Sequence, residues 1–243
     1  MMQWSRWWAC GLGGFLAIAL LVPALSTHTS EKPKATRPRR AEEVSRQFLP
    51  RHPRPRDEAE KRIVTVMDDM QDNQSRGMGN VYPEDGRLLR MFTETLEAKH
   101  VVEVGTANGY SAMWFCLALR ATGGKLTTHE IDPQRIALAK ENFRRAGVED
   151  IVTFVEGDAH KTIAKLSAPL DVVLLDAEKE GFTDYLKKLL PLVRTGGLII
   201  AHDSTGQADQ MQDYFQAIAS NSDLETVFVD ASHWGMCITR KMR

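Results

Sequence analysis

Asp176 and Lys179 stand three residues apart in Leu174-Leu175-Asp176-Ala177-Glu178-Lys179, at the end of an apolar run. A carboxylate there can hold a divalent cation, and a lysine beside it can take a proton from a hydroxyl group. A second acid, Asp203 in His202-Asp203-Ser204, also closes an apolar run, so two acids can converge on one hard cation. Upstream lies Glu103-Val104-Gly105-Thr106-Ala107-Asn108-Gly109-Tyr110-Ser111. Glycines let backbone approach a ligand without a Cβ in the way, and a following helix start offers free N–H groups. The pattern is G-x-A-x-G and departs from the G-x-G-x-x-G of dinucleotide sites. Acidic Glu103 would repel a pyrophosphate and would instead pair with a ligand ammonium. Glu130, 25 residues past Gly105, can accept both hydroxyls of a ribose. Asp158-Ala159 can lie beside an adenine ring or serve as a turn and helix cap. Singly, each feature has a plain structural explanation: a tight turn, a solvated strand-end acid, a cap.

The elements that must position these residues alternate. Two amphipathic helices are expected first, over 57–72 with Ile63, Val66, Met67 and Met70 on one face, and over 84–97. Strands are then expected at 100–105, 125–131, 151–156, 171–176 and 197–202. The helices between and after them span 110–121, 133–146, 161–166, 182–190 and 209–220. Asp132 as cap, Pro133 at the first turn and Gly147 at the end mark one helix unambiguously. Strict alternation predicts a doubly wound α/β fold with a parallel sheet covered on both faces. The last strands, 224–229 and 236–240, have no helix between them and should form an antiparallel hairpin at one edge. Ligands in such sheets bind beyond the carboxyl ends of the strands. All the candidate residues named above fall there.

The chain has 243 residues and a formal net charge of −1. That length suits one α/β domain and a tail, and the charge argues against a general nucleic-acid binder. Cys10, Cys116 and Cys237 are too scattered for a zinc site or a disulfide framework. Residues 1–30 form a hydrophobic anchor or signal segment, uncharged from Trp7 to Leu25. Lys32, Lys34, Arg37, Arg39 and Arg40 follow it, which favours a membrane anchor through residues 7–25 with the downstream part cytoplasmic. Ala24-Leu25-Ser26 offers the alternative of cleavage and export. Residues 31–56, rich in Pro and Arg, read as an extended linker, and 57–243 as the folded domain.

As a set, Asn80-Val81-Tyr82-Pro83-Glu84-Asp85-Gly86-Arg87-Leu88-Leu89, Glu103-Val104-Gly105 with Gly109-Tyr110-Ser111, and Asp176-Ala177-Glu178-Lys179 resemble the cation-dependent catechol and caffeoyl-CoA type of O-methyltransferase. The similarity runs from about Met78 to Lys241. It implies a Rossmann-like methyltransferase fold with a seven-stranded, mostly parallel sheet, and S-adenosylmethionine (SAM) as cosubstrate. It implies that Val81, Gly105, Thr106 and Ser111 hold the methionine part of SAM, with Glu103 near its ammonium. Glu130 would lie on the ribose, Ala159 by the adenine, and Glu178 against the cosubstrate. Asp176 would bind Mg²⁺ or another divalent cation near the methyl donor, Lys179 would be the general base, and Asp203 a second metal ligand. The family places Asn after that second acid; here Ser204 stands as the third ligand, a shorter and weaker one. The expected acceptor is a small hydroxylated molecule, phenolic or catechol-like, and the resemblance admits a homodimer. The alternatives are a metal-independent methyltransferase and a membrane-tethered SAM-binding module without turnover. In Asp230-Ala231-Ser232-His233-Trp234-Gly235, His233 and Trp234 either line a substrate pocket or pack a hairpin turn.

Overall fold

Alternation along each strand decides which side of the sheet a residue serves. The computed structural model describes residues 41–243 except residue 168. The anchor or signal segment at 1–30 and the basic residues after it lie outside the described residues. No helix among the described residues is long and apolar enough to cross a membrane. Seven strands form one sheet: β1 (His100–Val104), β2 (Lys125–Glu130), β3 (Val152–Glu156), β4 (Leu170–Leu175), β5 (Val193–His202), β6 (Leu224–Val229) and β7 (Met236–Lys241). Their order is β3-β2-β1-β4-β5-β7-β6. The first five are parallel, and β7 runs antiparallel to both β5 and β6. This is the doubly wound sheet with a C-terminal antiparallel hairpin that the alternation predicts.

Among the described residues, eight α-helices accompany the sheet: α1 (Ala41–Phe48), α2 (Glu58–Asn73), α3 (Pro83–Thr95), α4 (Tyr110–Thr122), α5 (Pro133–Ala146), α6 (Ala159–Thr162), α7 (Phe182–Leu189) and α8 (Gln212–Ala219). Val101, Leu174, Ile200 and Ile238 pack with Met67, Leu89, Trp114 and Phe143 on one side of the sheet. Their strand neighbours Val102, Val173, Leu175, Ile199 and Cys237 pack with Phe182, Tyr185, Tyr214 and Ile218 on the other. Each such side chain contributes roughly 1.5–3 kcal/mol by leaving water. Helix α4 is buried all round from Tyr110 to Leu119, because it lies between the sheet and helices α2 and α3. Cys116 and Cys237 are buried free thiols, as their apolar settings suggest.

Three stretches differ from expectation. Strand β5 begins four residues before the expected 197, with Val193 paired to Leu170 and a register shift before Leu198 pairs with Val172. Gly196, at φ +81°, absorbs that irregularity. Helix α8 starts at Gln212, after a 3-10 turn over Ala208–Gln210, so the helical pattern begins later than the expected 209. Within 31–56, expected as linker, α1 forms and His52 is 4% exposed. His52 Nδ1 lies 2.8 Å from Asp68 Oδ1 and Nε2 lies 2.7 Å from the Tyr110 hydroxyl. Its ring also sits 5.7 Å from that of Trp114. Composition hides this docking, since a single buried histidine does the work of an apolar stripe. His52→Ala should lower stability by about 1–3 kcal/mol, because the Tyr110 hydroxyl loses its buried partner. An unchanged chemical-denaturation midpoint would show that residues 41–56 add nothing to the fold.

Candidate active site

The carboxyl ends of β1, β2, β3 and β4 open on one cavity of about 640 Å³. Val81, Gly105, Thr106, Ser111, Glu130, Ala159, Asp176 and Glu178 all line it, and so do Lys179 and Asp203. Sequence reasoning therefore brought together residues up to 122 positions apart, from Val81 to Asp203. Glu103 and Ser204 do not line it: they are 0% and 2% exposed, and Glu103 lies beneath the loop.

The glycine loop owes its shape to close packing. Gly105 has φ +98°, and a Cβ there would overlap the carbonyl oxygen of Asp176. Ala107, at φ +48°, adopts the left-handed region that disfavours a side chain. Its N–H donates to Glu130 Oε2 over 2.8 Å, which holds the strained turn. The other oxygen, Glu130 Oε1, accepts from the N–H groups of Ile131 (2.8 Å) and Asp132 (3.0 Å). The carboxylate is thus fixed at the end of β2, facing the cavity.

Glu103 accepts from Ser111 Oγ (2.6 Å) and Thr128 Oγ1 (2.5 Å). Burial pushes its carboxyl up to about 8, against the lowering effect of those two hydroxyls. The folded chain therefore holds a proton that the unfolded chain releases near its ordinary value of 4.5. Stability from this group is fully present below about 4.5 and declines as pH rises towards about 8. Glu103→Gln should remove that decline: the stability difference between variant and wild type should grow from pH 5 to pH 8. A difference independent of pH would contradict the buried protonated carboxyl.

On the cavity wall formed by α6 and α7, Glu178 Oε1 accepts from the Tyr185 hydroxyl and lies 3.0 Å from His160 Nε2. His160 stacks on Tyr185 with ring centroids 4.5 Å apart. The hydrogen bond with Asp184 raises the His160 imidazole above its ordinary value. Neither His160 nor Tyr185 was anticipated as part of this wall; only the three-dimensional meeting of α6 and α7 discloses them.

At the switch side of the cavity, Lys179 Nζ lies 3.4 Å from Asp176 Oδ1 and 3.1 Å from Asp203 Oδ2. The lysine is 5% exposed. His202, the last residue of β5, places Nδ1 3.2 Å from Asp176 Oδ1 and 3.2 Å from Asp203 Oδ1. Asp176, His202 and Asp203 offer ligand atoms within 4.8 Å of one another. Burial pushes the Asp176 carboxyl up, and the charge and hydrogen bond of His202, with those of Lys179, outweigh it and leave it below the ordinary range. Burial likewise pushes His202 down, but Asp176, Asp85 and Asp203 outweigh it and raise the imidazole to about 10.

His202 joins the expected Asp176 and Asp203 in this cluster, and the expected Ser204 has its Oγ buried without a hydrogen-bond partner among the described residues. Strand alternation puts His202 on the same face as Leu198 and Ile200. Asp203, at φ +60°, then turns the chain so that two successive side chains face Asp176.

The 230–235 turn packs across the loop after β5. The Trp234 carbonyl accepts from the N–H groups of Thr205 (2.8 Å) and Gly206 (2.9 Å), and the His233 ring lies 4.9 Å from that of Tyr82. Trp234 also lines a second cavity of about 590 Å³ with Tyr82 and Arg87. Gly79, Asn80 and Val81 line both cavities. The turn is therefore packed by aromatics, and Trp234 borders the second cavity.

Residues 59–231 match the family model described as O-methyltransferase. A catechol O-methyltransferase of Niastella koreensis is 36% identical over 126 residues, covering 50% of this chain and 57% of its own length. The chain thus spans little more than half the length of that curated relative. An O-methyltransferase from Bacillus cereus in complex with SAH superposes with a TM-score of 0.66, 20% identity, and coverage of 82% of this chain and 96% of that one. The O-methyltransferase TomG from Streptomyces achromogenes, involved in tomaymycin synthesis and solved with SAM, gives a TM-score of 0.67 at 22% identity, covering 83% and 95%. At such identities the two structures establish the shared fold.

Proposed function

We propose, from the premise that this chain belongs to the O-methyltransferase family, that it transfers the methyl group of SAM to a hydroxyl of a small phenolic or catechol-like acceptor. The carrying observation is that the glycine loop, Glu130 and the Asp176–Lys179–Asp203 cluster open on a single cavity. Gly105 and Thr106 present backbone to the amino-acid end of the cosubstrate, and Ser111 and Glu103 lie beneath its ammonium. Glu130 receives the ribose hydroxyls. Ala159 and Glu178 bound the adenine side.

Asp176, His202 and Asp203 are the residues that would hold a divalent cation. Two carboxylate oxygens and a ring nitrogen within 4.8 Å suit one in both chemistry and spacing. Such an ion supplies Lewis acidity that lowers the pKa of a bound hydroxyl. As the free amine, Lys179 Nζ, beside both carboxylates, would take the hydroxyl proton and become the ammonium that pairs with them. The walls hold acceptor oxygen and methyl donor in line, so most of the rate enhancement comes from positioning and fixed charges. The second cavity, which shares residues 79–81 with the first, offers space for the acceptor. Attachment to a membrane through residues 7–25, with the domain on its cytoplasmic side, completes this reading and is supported by the flanking charges.

One observation favours a second reading. The cationic side chains of Lys179 and His202 already contact both carboxylates, an arrangement that suits a metal-independent methyltransferase. The experiment that tests the function is methyl transfer from isotopically labelled SAM to catechol by the full-length chain, with a divalent cation and with EDTA. Cation-dependent labelling supports the first reading and EDTA-resistant labelling the second. Failure to label any hydroxylated acceptor, with SAM bound, would refute both.

A further inference from the structure

His202 and Asp85 make this cluster unlike a site of oxygen donors alone. His202 is 2% exposed and is held from both sides. On one side its Nδ1 faces Asp176 Oδ1 and Asp203 Oδ1, each at 3.2 Å. Neighbouring donors around an octahedral ion with bonds of about 2.1 Å sit about 3 Å apart, so both spacings fit adjacent ligand positions. On the other side Nε2 lies 3.2 Å from Asp85 Oδ2. Asp85, on α3, is 0% exposed, and its Oδ2 also accepts from Ser232 Oγ at 2.6 Å. A carboxylate only accepts, so Nε2 donates its hydrogen to Asp85, and an ion held at Nδ1 would replace the proton that Nδ1 shares with Asp176 and Asp203. A buried carboxylate behind a histidine, with the other ring nitrogen on the ligand side, is the arrangement that orients metal-binding imidazoles.

We infer that this site prefers a first-row transition ion of the cobalt(II) and zinc(II) class over Mg²⁺, with His202 Nδ1 as a ligand and Asp85 as its positioning residue. The inference rests on the proposed methyltransferase reading and deepens it. An imidazole donor suits these ions, whereas Mg²⁺ takes oxygen donors and keeps its water. Asp85 and Ser232 come from α3 and from the β6–β7 turn, so the orientation of His202 depends on two segments that border the second cavity's side of the site.

The test uses the full-length chain without acceptor. Co²⁺ and Mg²⁺ are titrated separately by calorimetry, and the Co²⁺ complex is examined by proton NMR. Tighter binding of Co²⁺ is expected, with a paramagnetically shifted, exchangeable imidazole N–H resonance from Nε2. His202→Asp exchanges the nitrogen donor for a carboxylate oxygen; it should abolish that resonance and shrink the preference for Co²⁺ over Mg²⁺. Asp85→Asn should weaken Co²⁺ binding by roughly tenfold, the lower end for loss of an outer-shell partner, and leave SAM binding unchanged. Co²⁺ binding without the shifted resonance, or an unaltered preference in His202→Asp, would overturn the inference. Binding of neither ion would overturn it too, together with the metal-assisted reading, while SAM titration of the same sample separately decides the methyltransferase reading.

Discussion

Lys179→Met is expected to slow methyl transfer by about 10²–10⁴-fold, the range for removal of a general base. The variant keeps the length of the side chain and removes its ammonium. Lys179 Nζ lies between Asp203 (3.1 Å) and Asp176 (3.4 Å) and is the only lysine lining the cavity among the described residues. Its stem also passes Phe182, with Nζ 4.9 Å from the ring centroid. Methionine fills a similar volume, so the fold should survive, with some loss of stability because two partly buried carboxylates lose a cation and the Phe182 ring loses the ammonium over it. SAM affinity should stay within a few-fold of wild type, since the glycine loop and Glu130 are untouched. Initial rates at saturating SAM, beside a SAM titration and a thermal melt, separate the effects. An unchanged rate with a competent acceptor would remove Lys179 from the mechanism.

Gly105→Ala carries the second large effect. The φ of +98° alone costs an alanine about 1–3 kcal/mol. The added Cβ also meets the Asp176 carbonyl oxygen and, at 2.7 Å, its carbonyl carbon. Neither strand end can easily yield, because the Asp176 N–H donates to the Val104 carbonyl over 2.9 Å. Any shift that relieves the overlap displaces Asp176 from His202 and Lys179. A loss near 3 kcal/mol in binding corresponds to about a hundredfold, so SAM binding should fall by at least that and methyl transfer with it. Gly77→Ala is the matched control. Gly77 has φ +74° with nothing within 4 Å of a Cβ, so it carries backbone strain without the collision. Equal effects of the two substitutions on SAM binding would mean that strain, and not the approach of β1 to β4, shapes the site.

Much of the architecture was legible because it depends on local alternation. Asp132, Pro133 and Gly147 bound α5 as expected, with Asp132 accepting from Gln134 N (2.8 Å) and Arg135 N (3.1 Å). The loop residues at the ends of β1, β2 and β4 were legible for a related reason: chain order in a parallel sheet determines which ends adjoin. What stayed hidden depends on contacts distant in sequence. Asp85 reaches His202 across 117 residues, and neither the lead-in motif nor the strand pattern pairs them. His202 has no local signal of a site role, because β5 is buried on both faces from Gly197 to His202. The docking of residues 41–56 escaped notice because Pro and Arg dominate that stretch, and its anchor is one histidine bonded to Asp68 and Tyr110.

The most direct measurement is a calorimetric titration of SAM into the full-length chain and into Gly105→Ala. Saturable one-to-one binding by the wild type, lost or strongly weakened in the variant, is the expected result. It would place the cosubstrate on the glycine loop beside the Asp176–Lys179–Asp203 cluster. A folded wild-type chain that binds no SAM would contradict the methyltransferase assignment at its root.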